Sequence, residues 1–156
     1  MSKLEAVAEL GVDGPVLAAI ADRPWVSLGD GLDIKVLRYS RVTGEWALYV
    51  RMQPGAKIIP HKHLSAGEYF VTKGELLYDV GSAPAGTYGY ESLGEVHSEA
   101  RAERETEYLF LGRGAVAYPG ADGRIDFVLD VDFLRALVSG RGQPSVTERS
   151  AAEKAA

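Results

Sequence analysis

The chain has 156 residues and no cysteine. That excludes disulfides, zinc–thiolate sites and a thiol nucleophile. It also lacks a basic excess. The formal charge is -5, which argues against nonspecific binding to nucleic acid or to an anionic membrane, since both need a basic face. No apolar run approaches the length of a membrane-spanning helix, and the opening MSKLEAVAELGVDG is too polar for a signal peptide. The expected location is therefore cytoplasmic. Histidine is scarce as well: there are three, too few for a histidine-based triad beside any other histidine site. What remains is ordinary for a globular chain. Apolar residues make up 46% and charged residues 25%, and this length suits one core.

The first 22 residues read as helical. Leu4, Val7, Ala8 and Leu10 follow helical spacing. Asp13 can cap a second short helix, with Pro15 in its first turn and Val16, Leu17 and Ile20 inward. From Trp25 onward the pattern changes. Short runs rich in Val, Ile, Leu, Tyr and Trp cover 25–28, 32–40, 45–53, 56–61, 67–73, 75–80, 96–101, 106–111, 113–118 and 124–130. Turn signals such as Pro54-Gly55, Lys73-Gly74 and Gly120-Ala121-Asp122-Gly123 separate them. About ten short strands at this spacing predict a closed or nearly closed all-β sandwich or barrel. Asp132 to Val138 reads as a short helix, and the polar stretch from Ser139 as a fraying tail. The expected division is a helical extension over 1–23, a β-barrel over 24–138 and a tail over 139–156. The charge run from Glu99 to Glu107 reads as a solvated hairpin, and Trp46, Tyr49 and Phe110 as barrel lining.

The histidines are not scattered. His61 and His63 stand at i and i+2 in the stretch PHKHLSAGEYFVTKGE. On a strand, that spacing puts both rings on one face, a natural way to offer two imidazoles to one metal. His97 follows a glycine-marked turn, Gly94-Glu95-Val96.

The glycine framework around these sites resembles the cupin family. Gly55, five residues, His61-Lys62-His63, Glu68 and Gly74 match the family's first motif. Gly86, five residues, Ser92 in the proline place, Gly94 and His97 match the second, with Arg101 where an asparagine is usual. The resemblance implies a single-domain jelly-roll barrel and a metal held by His61, His63 and His97. Cupins commonly pair through their sheets, so a homodimer or homotetramer is expected.

The family's usual fourth ligand is a glutamate with six residues before the downstream glycine. Glu68 has five before Gly74, and Gly67 stands at the ligand count. A one-residue shift on a strand sends a side chain to the opposite face. On that register Glu68 turns away and Tyr69 turns in. Counted forward from His63, Glu68 remains an acceptable ligand, so both readings stand.

Within cupins, GEYFVTKG and YGYESLGEVH are similar to stretches of the small acetylacetone-cleaving (β-diketone) dioxygenases. That resemblance implies Fe(II) on the three histidines, with zinc, nickel or manganese as alternatives. It implies Glu91 as an acceptor that orients an imidazole, and Tyr69 as a polar group beside the metal. The implied reaction takes a ketone bound as a chelated enolate, adds O2 and breaks a carbon–carbon bond. The likeness departs at the pocket: Ile58 and Thr106 stand where that group has phenylalanines, Phe110 is kept, and Asp79 replaces an arginine. Two other classes fit the same motifs. One is a metal-binding or ligand-sensing cupin, a type usually fused to a further domain. The other is a metal-dependent isomerase or hydrolase that needs no O2.

Overall fold

The computed structural model describes residues 14–149. The first expected helix lies outside them. The second does not form: residues 14–19 are irregular, and only a 3-10 turn, Ile20–Asp22, follows. Its expected inward face is open, since Leu17 is fully exposed. No helix among the described residues is long and apolar enough to cross a membrane.

The architecture is mostly β. The strands are β1 (Val26–Gly29), β2 (Leu32–Tyr39), β3 (Trp46–Met52), β4 (Lys57–Ile58), β5 (His61–His63), β6 (Gly67–Lys73), β7 (Glu75–Tyr78), β8 (Gly81–Pro84), β9 (Tyr88–Glu91), β10 (Val96–His97), β11 (Ala100–Arg101), β12 (Thr106–Gly112), β13 (Val116–Pro119), β14 (Ile125–Leu129) and β15 (Thr147–Glu148). They form three antiparallel sheets, ordered β1-β2-β3-β12-β6-β9, β10-β5-β13-β14 and β15-β4-β11-β7-β8. Most expected strands are present. The run 56–61 divides into β4 and β5, and 96–101 divides into β10 and β11. β8, β9 and β15 carry too few β-branched residues to stand out in the sequence.

The strands sort their side chains by alternation. In β3, Trp46, Leu48, Val50 and Met52 are buried, and the residues between them are not. Tyr49 is therefore on the outer face, where its hydroxyl donates to Glu107 (2.8 Å) and its ring sits 6.2 Å from Trp25. It does not line the interior. In β6 the inward set is Gly67, Tyr69 and Val71. Gly74 ends β6 with φ 73°, and a Cβ there would stand 2.3 Å from the Glu105 carbonyl oxygen, so only glycine fits.

One helix, α1 (Val131–Val138), closes the β region. The Asp130 carboxylate accepts from the Phe133 N–H at 2.9 Å and caps it. Val131, Phe133, Leu134 and Val138 are its buried face, packed on β14 and β2. The stretch after it is not a loose tail as far as Arg149. Val146 is 2% exposed and Thr147 6%, and β15 pairs with β4. The Thr147 hydroxyl also donates to the Asp30 carbonyl. A single buried valine and two strand residues are too short a signal to read against a polar background. The charged run 99–107 is likewise tighter than a solvated hairpin. Ala100 and Ala102 are buried within it, and β11 lies between β4 and β7.

Candidate metal centre

The HKH strand is β5, with His61 and His63 buried and Lys62 exposed. Its neighbour β10 brings the third ring, because His97 pairs directly with His61. The turn before β10 is clipped onto the same strand. The Gly94 N–H donates to the His63 carbonyl, and the His63 N–H donates to the Glu95 carbonyl, both at 2.8 Å. Gly94 has φ 85°, which this reversal needs. Asp79 fixes the far side of β10. Its carboxylate accepts from the Ser98 N–H (2.8 Å) and hydroxyl (2.9 Å) and from the Glu99 N–H (3.3 Å). The Ser98 amide bond, with its hydroxyl and the Glu99 amide, lowers the Asp79 pKa to about 2. Asp79 thus holds backbone rather than taking over an arginine's place beside the rings.

The three rings converge. Their centroids are 5.3 Å apart for His61–His63, 5.1 Å for His61–His97 and 5.3 Å for His63–His97. One nitrogen from each lies within 4.8 Å of the others. His61 is oriented by its Nδ1, 2.9 Å from the Ile59 carbonyl oxygen. That bond makes Nδ1 the protonated nitrogen and leaves the Nε2 lone pair for a ligand. Burial pulls the His61 pKa down to about 4, so the ring is neutral at pH 7. The Nε2 atoms of His63 and His97 are buried with no hydrogen-bond partner. Buried polar atoms are rarely left so. Three converging imidazoles, two of them with unpartnered buried nitrogens, fit a divalent transition metal.

The fourth polar group is Glu91, at the end of β9 and 7% exposed. Its Oε2 lies 2.8 Å from His63 Nε2 and its Oε1 3.5 Å from His97 Nε2. Glu68 is elsewhere. It lies on the outer side of β6, accepts from the Tyr88 hydroxyl at 2.5 Å, and pairs with Arg113 at 3.0 Å. Those two bonds lower its pKa.

Around the histidines is a cavity of about 80 Å³, far smaller than the roughly 300–1,000 Å³ sites that take drug-sized ligands. Trp46, Leu48, Ile58 and Phe110 are among the apolar residues of its wall. Phe110 stacks on Trp46 (5.4 Å) and lies 6.2 Å from the His63 ring. Thr106 is not in that wall. It is fully buried at the β6–β7 corner, where its hydroxyl bonds the Glu75 backbone.

Tyr69 faces the cavity, and its ring fills space that a side chain at Gly89 would occupy. Its hydroxyl is 2.5 Å from that of Tyr78, and the Tyr78 ring lies edge-on 5.2 Å from His97. Burial raises both phenol pKa values, so the pair stays neutral. Tyr78 and Tyr118 were not apparent as site residues in the sequence. For Tyr118 there is a signal: β13 pairs with β5, Val116 stands opposite His63, and alternation turns Tyr118 to the same side, 5.5 Å from His61.

Comparison with known proteins agrees on the fold and names both an enzyme and an anti-sigma protein. A family described as the ChrR Cupin-like domain matches residues 13–117. The chain is similar to an acetylacetone-cleaving enzyme of Acinetobacter johnsonii, 26% identical over 101 residues, which cover 61% of this chain. The matched part spans 66% of that relative's length. In fold it is similar to the solved acetylacetone dioxygenase of Acinetobacter johnsonii (TM-score 0.74, 21% identity, 84% of this chain and 94% of that one). It is also similar to the anti-sigma ChrR bound to SigE of Rhodobacter sphaeroides (TM-score 0.52, 21% identity, 60% of this chain and 51% of that one).

Proposed function

The chain belongs to the ChrR Cupin-like domain family, and from that premise we propose that it is a metal-dependent dioxygenase. It cleaves a carbon–carbon bond beside a carbonyl in a small β-diketone or related ketone. The observation that carries this reading is the cluster of His61, His63 and His97 beside a small apolar cavity, with buried nitrogens of His63 and His97 left unpartnered. The similarity to an acetylacetone-cleaving enzyme supports the reaction class.

His61, His63 and His97 would hold the metal. Fe(II) is the first choice, and zinc, nickel and manganese suit the same donors. The ion would supply Lewis acidity toward an enolate and a place for O2. The protein supplies the rest. The Ile59 carbonyl keeps His61 in the tautomer that offers Nε2. Trp46, Leu48, Ile58 and Phe110 exclude water and limit the substrate to a few heavy atoms. The Tyr69–Tyr78 pair has two hydroxyl protons and needs one for its mutual bond. The other is free to donate to a substrate oxygen, and neither is lost near neutral pH.

Oxygen uptake tests this directly. The protein is loaded anaerobically with Fe(II) and offered β-diketones, β-keto esters and hydroxyacetophenones. One O2 consumed per substrate cleaved is the expected result. Full metal loading with no uptake across the panel would move the protein to a second reading, a metal-binding ligand sensor. The ChrR likeness supports that alternative.

A further inference from the structure

The geometry points to Glu91 as a fourth ligand of the metal, delivered from β9 in place of the glutamate that the family's first motif carries. This rests on the metal centre proposed above.

Contact distance is the first ground. The Glu91 carboxylate reaches two ring nitrogens at once, His63 Nε2 at 2.8 Å and His97 Nε2 at 3.5 Å. Two donors bound at about 2.1 Å to one ion stand about 3.0 Å apart at a right angle and about 3.4 Å apart at a tetrahedral angle. The observed pair brackets those values.

Alignment is the second. At 2.8 Å a hydrogen bond between His63 and Glu91 would be expected, yet His63 Nε2 and Glu91 Oε2 are both without one. Their close approach is not along an N–H direction, as suits two donors facing a third point. A carboxylate that oriented an imidazole would bond the nitrogen turned away from the metal, as the Ile59 carbonyl does for His61.

Charge is the third. Among the described residues, no lysine or arginine lies within 4.0 Å of this buried carboxylate. A buried anion needs a cation, and a metal held by the three histidines would supply it.

Sheet register explains the substitution. Gly67 stands at the ligand count of the first motif, and Gly67 pairs directly with Glu91 across β6 and β9. Residues directly opposite on antiparallel strands project to the same face. A carboxylate missing at 67 is thus restored from the adjacent strand. A side chain at position 67 would have to displace Phe110. A Cβ there would stand 2.6 Å from Phe110 Cζ, because the Phe110 ring fills that place. With Glu91 in the set the centre carries a net +1 rather than the +2 of three neutral imidazoles.

The test uses Co(II), whose visible ligand-field bands report its donor set. Wild type, Glu91→Gln, Glu91→Ala and His63→Ala are titrated with Co(II), and melting of the metal-free forms checks folding. Glu91→Gln is nearly isosteric and guards against a misfolded alanine variant. The inference expects one Co(II) per wild-type chain. It expects shifted bands and at least a hundredfold weaker binding for Glu91→Gln. Added formate should restore wild-type-like bands to Glu91→Ala by filling the vacated position. Bands in Glu91→Gln that superimpose on wild type would overturn the ligand assignment and leave the three-histidine centre standing. Wild type that binds no Co(II), or His63→Ala that binds it equally well, would overturn the centre itself.

Discussion

Glu68 and Glu91 stand on paired strands, one register step apart, and meet opposite worlds. Glu68 points outward and satisfies its charge with Arg113 and the Tyr88 hydroxyl. Glu91 points inward, is 7% exposed, and faces two imidazole nitrogens with no cationic side chain beside it. The strand pleat alone makes the difference. An exposed ion pair of the first kind contributes little. A buried carboxylate of the second kind is costly unless something compensates it, and the neighbouring histidines indicate a metal.

The largest effect should come from the inward side. His63→Ala should take metal from one equivalent per chain to none, measured by elemental analysis after dialysis. Retained stoichiometry would place the metal elsewhere. Next comes the space that keeps a side chain off position 67. Gly67→Ala should destabilise the fold by about 1–3 kcal/mol through overpacking against Phe110, read from denaturant unfolding. An unchanged midpoint would mean that Phe110 yields freely and that the register argument is weaker.

A smaller effect belongs to a third carboxylate, Asp79, which neither faces the rings nor pairs with a cation. Its pKa of about 2 in the fold lies below the ordinary 3.8, chiefly through the Ser98 amide. A lowered folded pKa stabilises the protein above the ordinary value, and the contribution is lost as pH falls from about 4 to about 2. Asp79→Asn should melt below wild type at pH 6, and the gap should close across that acid window. A gap independent of pH would remove the carboxylate from the account. The smallest effect should be Glu68→Gln, which loses an outer ion pair and should keep full metal stoichiometry. Loss of metal there would reverse the comparison.

Much of this was legible in the sequence, for physical reasons. Alternation in β3 and β6 and the glycines at 55, 74, 86 and 94 are local signals, and they placed the histidines. The register that sets Gly67 inward and Glu68 outward needed the family's spacing as well as period two, and the count forward from His63 left Glu68 open until β6 was seen. Other features depend on partners distant in sequence. Glu91 reads only as an acceptor that orients an imidazole, by resemblance, until β9 is paired with β6. Tyr49 resembles lining because its hydrophobicity says nothing about which face of β3 it takes. Thr106 and Asp79 differ from the residues expected beside a substrate, and each is used on backbone: Thr106 on Glu75, Asp79 on Ser98 and Glu99. The segment around Val146 looked like tail, since a two-residue strand has no periodicity to detect.

The comparison of the two glutamates can be settled by one measurement, Co(II) affinity of Glu91→Gln and Glu68→Gln side by side against wild type. The account predicts at least a hundredfold loss for Glu91→Gln and wild-type affinity for Glu68→Gln. Equal affinity in both variants, or a loss confined to Glu68→Gln, would contradict it.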